Sequence, residues 1–258
     1  MTDAGDAGAG DAGAAEADAV DWPALRARTP ARIGLGRIGV SLPTARHLDF
    51  QLAHARARDA VHAALDGEGL ASALARAGHE VLRLRSRAAD RPAYLRRPDL
   101  GRRLDPAVLP APSGPCDLAF VIADGLSAAA VNTHAAAVMA ATLAALPHPG
   151  RVGPACLVEQ GRVAVGDEIG ALLGAAVVVV LIGERPGLSA ADSMGAYVTY
   201  APAVGAADAG RNCVSNIRPG GLGVAEAGST IANIVAAARR HGLTGVDLGR
   251  RMDALPAP

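Results

Sequence analysis

The sequence predicts an α/β fold, in which a doubly wound, mostly parallel sheet follows a smaller, mainly helical N-terminal region. Two observations predict it. After residue 116, strand-like apolar runs alternate with helical patterns, and these runs are continuous in apolar residues. Continuous apolar strands are typical of a parallel sheet that helices cover on both faces. With 258 residues, 50% of them hydrophobic, the chain can bury a substantial core.

Residues 1–28 are predicted to form a disordered tail. They begin with MTDAGDAGAGDAGAAEADAV, a low-complexity segment of Ala, Gly and acidic residues. Such a segment has too few large apolar side chains to form a core. It carries no basic residue before Asp21, which is atypical of a secretory signal or a mitochondrial transit peptide.

Residues 29–115 are predicted to form the mainly helical region. Helical patterns cover residues 44–65, with Thr44 as the cap, and about residues 69–77, and EVLRLR follows as a half-exposed strand. Between Arg76 and Arg103, nine Arg stand against three acids. This density indicates a solvated or partner-facing surface, or contact with a phosphate or another anion. The proline-rich PAVLPAPSGPCD then indicates a linker.

Residues 116–258 are predicted to form the sheet domain. The strand-like runs are DLAFVIADG, PACLVEQ, AAVVVVLIGE, AYVTYAP and NCVSNI. Ligands of open α/β sheets bind beyond the carboxyl ends of the strands. If the strands are parallel, the polar turns at residues 123–127, 183–187 and 215–221 lie on one rim. The side chains that would surround a crevice there are Asp124, Glu184, Arg185 and Arg218.

Composition argues against several classes of protein. A formal net charge of +0 is atypical of a chain that binds nucleic acid over its whole surface. The longest apolar run, residues 171–182, is shorter than the ~20 residues that a membrane span needs. Three dispersed cysteines have no metal-ligand spacing and favour reduced thiols. We therefore expect a cytoplasmic protein with no membrane span and no metal site of its own.

Catalytic motifs are weak. GLGRIG at residues 34–39 matches Gly-x-Gly-x-x-Gly, but neither a strand before it nor a helix within it is predicted. An NAD(P)-linked oxidoreductase is one alternative that rests on this motif. Ser127 is predicted to cap a helix, and Asp167 and Glu168 to cap the start of another, where carboxylates favour the helix dipole. A ligand crevice without catalytic residues favours a binding subunit whose chemistry takes place in another chain.

Six segments, taken in order, carry a resemblance to a known family: TPARIGLGRIG, YLRRPDLGRRL, VIADGLS, GRVAVGDEIGALLGA, LIGERPGLSAADSMGAYVTYAP and RNCVSNIRPGGL. From about residue 29 to about residue 235, the set resembles the light (small) subunit of ethanolamine ammonia-lyase, an adenosylcobalamin-dependent lyase. The resemblance implies a Rossmann-like domain and a heavy (large) subunit that is a (β/α)8 barrel. It implies further that the heavy subunit performs the radical chemistry that converts ethanolamine to acetaldehyde and ammonia. Several heavy–light pairs would assemble, with the corrinoid between the two chains.

Carried over by matching motif, the resemblance implies corrinoid contacts at Val163, Glu184 and Cys213, and no catalytic residue or metal ligand in this chain. Glu184 would accept hydrogen bonds from the peripheral amides of the corrin, and a local ion pair with Arg185 or Arg218 is the alternative. The sequence has no Asp-x-His-x-x-Gly, so the cobalamin is expected to keep its own base on cobalt. A purely structural partner of a barrel enzyme is another alternative, and location inside a bacterial microcompartment stays open.

Overall fold

The computed structural model describes residues 20–108 and 114–253 and divides the chain into two compact units, residues 1–49 and 50–258. In the first unit, Trp22–Ala27 forms helix α1, which Asp21 caps by accepting a hydrogen bond from the backbone N–H of Ala24. Residues 1–19 of the predicted disordered tail, and residues 109–113 of the predicted linker, lie outside the described residues.

The remaining elements follow the predicted order. The strands are β1 (Val81–Arg85), β2 (Cys116–Ala123), β3 (Ala155–Glu159), β4 (Ala175–Gly183), β5 (Met194–Tyr200) and β6 (Asn212–Ile217). The helices after α1 are α2 (Thr44–His62), α3 (Gly67–Arg76), α4 (Arg91–Arg96), α5 (Ala128–Ala145), α6 (Val165–Leu172), α7 (Val224–His241) and α8 (Val246–Asp253). The sequence did not predict helices α1, α4 and α8, which have six, six and eight residues.

The sheet is six-stranded and mixed, in the order β1-β3-β2-β4-β5-β6. Strands β1, β3, β2 and β4 pair in parallel, whereas β5 is antiparallel to both β4 and β6. The α/β class is confirmed, but the doubly wound, mostly parallel, Rossmann-like arrangement is not. Only residues 184–193 join β4 to β5, and a parallel crossover needs about a dozen residues or more.

Strand β1, which comes from an earlier part of the sequence, forms one edge of the sheet. It comes from the segment that the sequence assigned to the helical region, yet it pairs residue by residue with β3, from Val81 opposite Ala155 to Arg85 opposite Glu159. This part of residues 29–115 therefore belongs to the same sheet as the strands after residue 116.

The core lies on both faces of the sheet. Phe120 and Leu181 pack with α3, α5 and α7 on one face, and Val121 and Val180 pack with α6 on the other. Successive strand residues point to opposite faces, so β4 and the buried part of β2 after the exposed Asp117 are apolar on both faces. Helix α5 is long and apolar enough to cross a membrane by length and composition alone, but 44% of it is buried inside the fold.

Candidate functional site

The carboxyl ends of β2, β4 and β6 meet along one rim of the sheet. Ala123 pairs with Ile182 at the end of β4. On the other side of β4, Gly183 pairs with Met194 of β5, which in turn pairs with Ile217 of β6. The turns at residues 123–127, 183–187 and 215–221 therefore share a rim, as predicted, although the sheet is not parallel throughout. The reason is that two antiparallel pairings in succession return β6 to the direction of β4.

Glu184 joins the elements that meet at this rim. Its carboxylate accepts a 2.6 Å hydrogen bond from the Ser193 hydroxyl and weaker ones, at 3.3 and 3.4 Å, from the backbone N–H of Asn216. Arg218 donates to the Asn216 side chain instead. Within residues 20–108 and 114–253, Glu184 forms no ion pair with Arg185 or Arg218, so the ion-pair alternative is wrong.

Two adjoining cavities, of about 330 and about 320 Å³, form a crevice at the rim. We call them the arginine cavity and the glutamate cavity. Both are lined by Arg162, Val163 and Tyr197. The arginine cavity is completed by Pro98, Arg102, Asp208 and Arg211, and Glu184 and Arg185 are among the residues that complete the glutamate cavity. The wall that the two cavities share thus includes Val163, one of the residues that the resemblance selected.

Tyr197 connects the three sequence-selected residues. It lines both cavities with Val163, lines one of them with Glu184, and lies directly opposite Cys213 in the β5–β6 pairing. Cys213 is exposed, with its sulfur 3.2 Å from the Ser215 hydroxyl. Burial raises the pKa of Tyr197 to about 12, and the Cys213 thiol adds to the shift. The phenol therefore remains a hydrogen-bond donor at neutral pH.

Asp124 is buried and directly precedes Gly125, which lines the glutamate cavity. It is 2% exposed, and its two carboxylate oxygens accept the backbone N–H groups of Gln160 and Gly161 at 2.9 and 3.0 Å. Burial raises the pKa of Asp124 to about 6, against these hydrogen bonds and the Arg91 guanidinium at 3.6 Å. The sequence placed Asp124 around the crevice; in the structure Asp124 lines neither cavity and instead binds the backbone of the loop before Val163.

The raised pKa of Asp124 predicts a pH-dependent stability. Because the native pKa of about 6 exceeds the ordinary 3.8, the native state holds this proton more tightly than the unfolded state. This contribution to the free energy of unfolding is fully present below about pH 4 and is lost as pH rises through about 6, by on the order of 3 kcal/mol. Urea unfolding from pH 4 to 7.5, followed by circular dichroism, measures it. Asp124→Asn should lack this component, and parallel profiles for the two proteins would contradict the assignment.

Sequence reasoning missed the residues that support the crevice. Tyr94 is completely buried, and its hydroxyl donates to the carbonyl of Gly161 at 3.2 Å. The Arg162 guanidinium stacks 4.1 Å from the Tyr94 ring centroid. The low number of aromatic residues could have drawn attention to them. Aromatic residues are 2% of the chain, and Tyr94 and Tyr197 are two of only three tyrosines.

The acidic residues of α6 do not act as caps. Asp167 and Glu168 lie in the first turn as predicted, but the helix has no side-chain cap. Asp167 instead accepts two hydrogen bonds from Arg211, at 3.0 and 2.8 Å, and Glu168 accepts two from Arg103. Burial raises the pKa of Asp167, although Arg211 opposes the shift. Ser127, by contrast, does cap α5.

The glycine-rich segment at residues 34–39 does not have the geometry of a dinucleotide fingerprint. No strand directly precedes it among the described residues, and the next helix, α2, begins only at Thr44. Its three glycines have positive φ angles of 55°, 80° and 60°. The backbone therefore turns repeatedly here, and no helix N-terminus lies within the motif to receive a pyrophosphate.

Comparison with known proteins identifies similar chains. The family model described as ethanolamine ammonia-lyase light chain (EutC) matches residues 19–249. The ethanolamine ammonia-lyase small subunit of Xanthomonas campestris pv. campestris is 53% identical over 240 residues, covering 90% of this chain and 88% of the relative. Those of Azotobacter vinelandii and Ralstonia nicotianae are both 54% identical, covering 88% and 87% of this chain and 87% and 86% of theirs.

Proposed function

Since this chain belongs to the ethanolamine ammonia-lyase light-chain family and is a small subunit of that enzyme, we propose that its rim crevice holds part of adenosylcobalamin. In this proposal the corrinoid lies at the interface with the larger subunit, whose residues bind ethanolamine and perform the radical chemistry. The light chain binds and orients the cofactor and has no catalytic residue. Several heavy–light pairs would make up the enzyme, in the cytoplasm or inside a microcompartment.

One observation carries the proposal. Val163, Glu184 and Cys213 come from three separate segments of the chain, and the fold gathers them around the side chain of Tyr197 at the carboxyl rim. Ligands of α/β sheets bind at this kind of rim. Val163 and Glu184 line the crevice, whereas Cys213 lines neither cavity and lies beside it, opposite Tyr197. A purely structural partner would not require these three segments to meet at one rim.

The chemistry of these side chains fits a corrin. A carboxylate has about four acceptor positions, and Ser193 and Asn216 do not use all of those on Glu184, so peripheral amides can donate to it. Val163 offers apolar contact, and the small side chain of Cys213 permits close approach. When bound, the cofactor supplies a carbon-centred radical from its cobalt–carbon bond. A whole corrinoid exceeds either cavity, so the heavy subunit must provide the opposite wall.

Glu184→Gln tests the proposal in the reconstituted heavy–light complex. Charge-assisted hydrogen bonds contribute roughly 1.5–3 kcal/mol, so we expect the dissociation constant for adenosylcobalamin to rise about tenfold or more. Absorbance titration of the cofactor measures it. An unchanged constant would favour the purely structural partner instead.

Ser193→Ala is the matched control, because it removes the hydrogen bond from Ser193 while keeping the carboxylate. It should weaken cofactor binding much less than Glu184→Gln. Equal losses in the two variants would mean that Glu184 acts only by joining the rim segments. Titration with NAD(H) separates the remaining alternative, since an oxidoreductase would bind it tightly and show no affinity for a corrinoid.

A further inference from the structure

Arg162 is a fixed cation in the wall shared by the two cavities. Its guanidinium stacks on the ring of Tyr94 and donates to the Tyr94 carbonyl at 3.4 Å. Its aliphatic stem lies against Gly101, where an added Cβ would come within 2.8 Å of the Arg162 Cγ. Because Tyr94 is fully buried, the cation is positioned by stacking and packing and does not depend on a counterion.

The charge of Arg162 is available to a ligand. Within the described part of the chain it forms no ion pair, and its buried Nε atom has no hydrogen-bond partner. The Nε atom of Arg211 is also buried without a hydrogen-bond partner, but Arg211 and Arg102 differ from Arg162 in forming ion pairs. Arg211 is paired with Asp167 at 2.8 Å, and exposed Arg102 approaches Asp208 at 3.8 Å. Exposed pairs of this kind are weak, so an anion in the cavity would pair with Arg162 and compete with Asp208 for Arg102.

The nature of the anion follows from guanidinium chemistry and from the position of the cavity. A planar guanidinium matches the oxygens of a phosphate. Cobalamin carries neutral amides around its corrin and a phosphodiester in its nucleotide tail. The arginine cavity adjoins the glutamate cavity through Val163 and Tyr197, so a ligand whose amides reach Glu184 can extend a tail toward Arg162.

We propose that Arg162, assisted by Arg102, forms an anion subsite that binds the phosphodiester of the cobalamin nucleotide tail. This inference rests on the proposed function of the crevice. It assigns the arginine cavity to the tail and the glutamate cavity to the corrin amides. It also gives a role to Arg102, which belongs to the arginine-dense segment between Arg76 and Arg103.

The test uses two corrinoids that differ only in the phosphate group, adenosylcobinamide and adenosylcobinamide phosphate. Their dissociation constants are measured on the heavy–light complex by equilibrium dialysis. We expect the wild-type complex to prefer the phosphate form by about tenfold or more, as for a charge-assisted contact. Arg162→Met keeps a long apolar side chain over Tyr94 but removes the cation. It should abolish this preference and change the constant for adenosylcobinamide less than about twofold.

Two further variants complete the experiment. Arg162→Lys retains the charge without the planar fork and should keep part of the preference. Arg240→Met removes a positive charge from exposed Arg240 of α7, on the other face of the sheet, and should leave the preference intact. Inorganic phosphate should compete with the phosphate form alone. Inorganic phosphate that binds as tightly as the corrinoid phosphate would mean a free-phosphate site and would overturn the assignment to the tail.

The outcomes separate the subsite from the function on which it depends. If the wild-type complex binds both corrinoids equally, the phosphate subsite is refuted and cofactor binding stands. If Arg162→Met weakens both equally, Arg162 only supports the crevice and the subsite is again refuted. A complex that binds neither corrinoid refutes the proposed function as well.

Discussion

Arg211→Met is expected to lower the free energy of unfolding by about 3–5 kcal/mol, the cost of breaking a buried ion pair from one side. The side chains of Arg211 and Asp167 are 1% and 3% exposed, and they share two hydrogen bonds. Removing the guanidinium leaves the Asp167 carboxylate buried without its partner. Pulse proteolysis in urea, which follows the light-chain band on a gel, measures the change even within the heavy–light complex.

Two comparisons make this prediction specific. The double variant Arg211→Met, Asp167→Leu should recover much of the loss, because it leaves no unpaired charge in the core. Arg97→Met, which breaks an ion pair between side chains 64% and 59% exposed, should cost less than about 1 kcal/mol. If Arg211→Met costs no more than Arg97→Met, the buried pair does not stabilise the fold.

The Arg211–Asp167 pair also matters for the crevice. Asp167 lies in α6, shortly after Val163, and Arg211 directly precedes β6 with Cys213. The pair therefore joins the two segments that carry two of the proposed corrinoid contacts. We expect Arg211→Met to weaken cofactor binding together with stability, whereas Glu184→Gln should weaken binding with a smaller effect on stability.

Gly183→Ala is expected to destabilise the protein by about 3 kcal/mol, at the upper end for overpacking, and to deform the rim. A Cβ on Gly183 would lie 2.1 Å from the carbonyl oxygen of Ser127 and 2.5 Å from that of Asp124. Both are backbone atoms, so no side-chain rotation relieves the contact. Urea unfolding of the light chain and titration with adenosylcobalamin should both show the loss.

Gly187→Ala is the control for this substitution. It makes the same change four residues later in the same turn, but the atom nearest to its added Cβ is 3.9 Å away. Its effect on the free energy of unfolding should stay within about 0.5 kcal/mol, as for most surface substitutions. Similar losses at both positions would show that the turn needs glycine for a reason other than the contact with Ser127.

Local patterns allowed much of the fold to be predicted. Strands β2 and β4 are apolar on both faces, and Ser127 begins α5 by capping it, so neighbouring residues alone define these elements. The direction of β5 was not predictable in the same way. The residues of β5 are compatible with parallel or antiparallel pairing. The connection from residue 184 to residue 193 is too short for a parallel crossover, and β5 therefore pairs antiparallel with β4.

Side-chain partners were less predictable than elements. Asp167 and Glu168 have the positions of dipole-stabilising residues, yet their carboxylates bind arginines that are 44 and 65 residues away in the chain. The sequence did not single out Arg162, because it is one of 25 arginines in a chain without lysine. Its importance depends on the buried ring of Tyr94 and on the fact that, in the described part of the chain, Asp208 and Glu184 line the same cavities without forming an ion pair with it.

By itself, the sequence determined the family, the order of strands and helices, and the turns that carry Val163, Glu184 and Cys213, because apolar runs and motifs are properties of neighbouring residues. Only the tertiary structure decided the order and register of the strands, that these three residues lie next to Tyr197, and that Arg162 lines the crevice without an ion pair in the described part of the chain. The physical reason is that burial, strand register and charge pairing depend on residues far apart in the chain, which only the packed fold brings together.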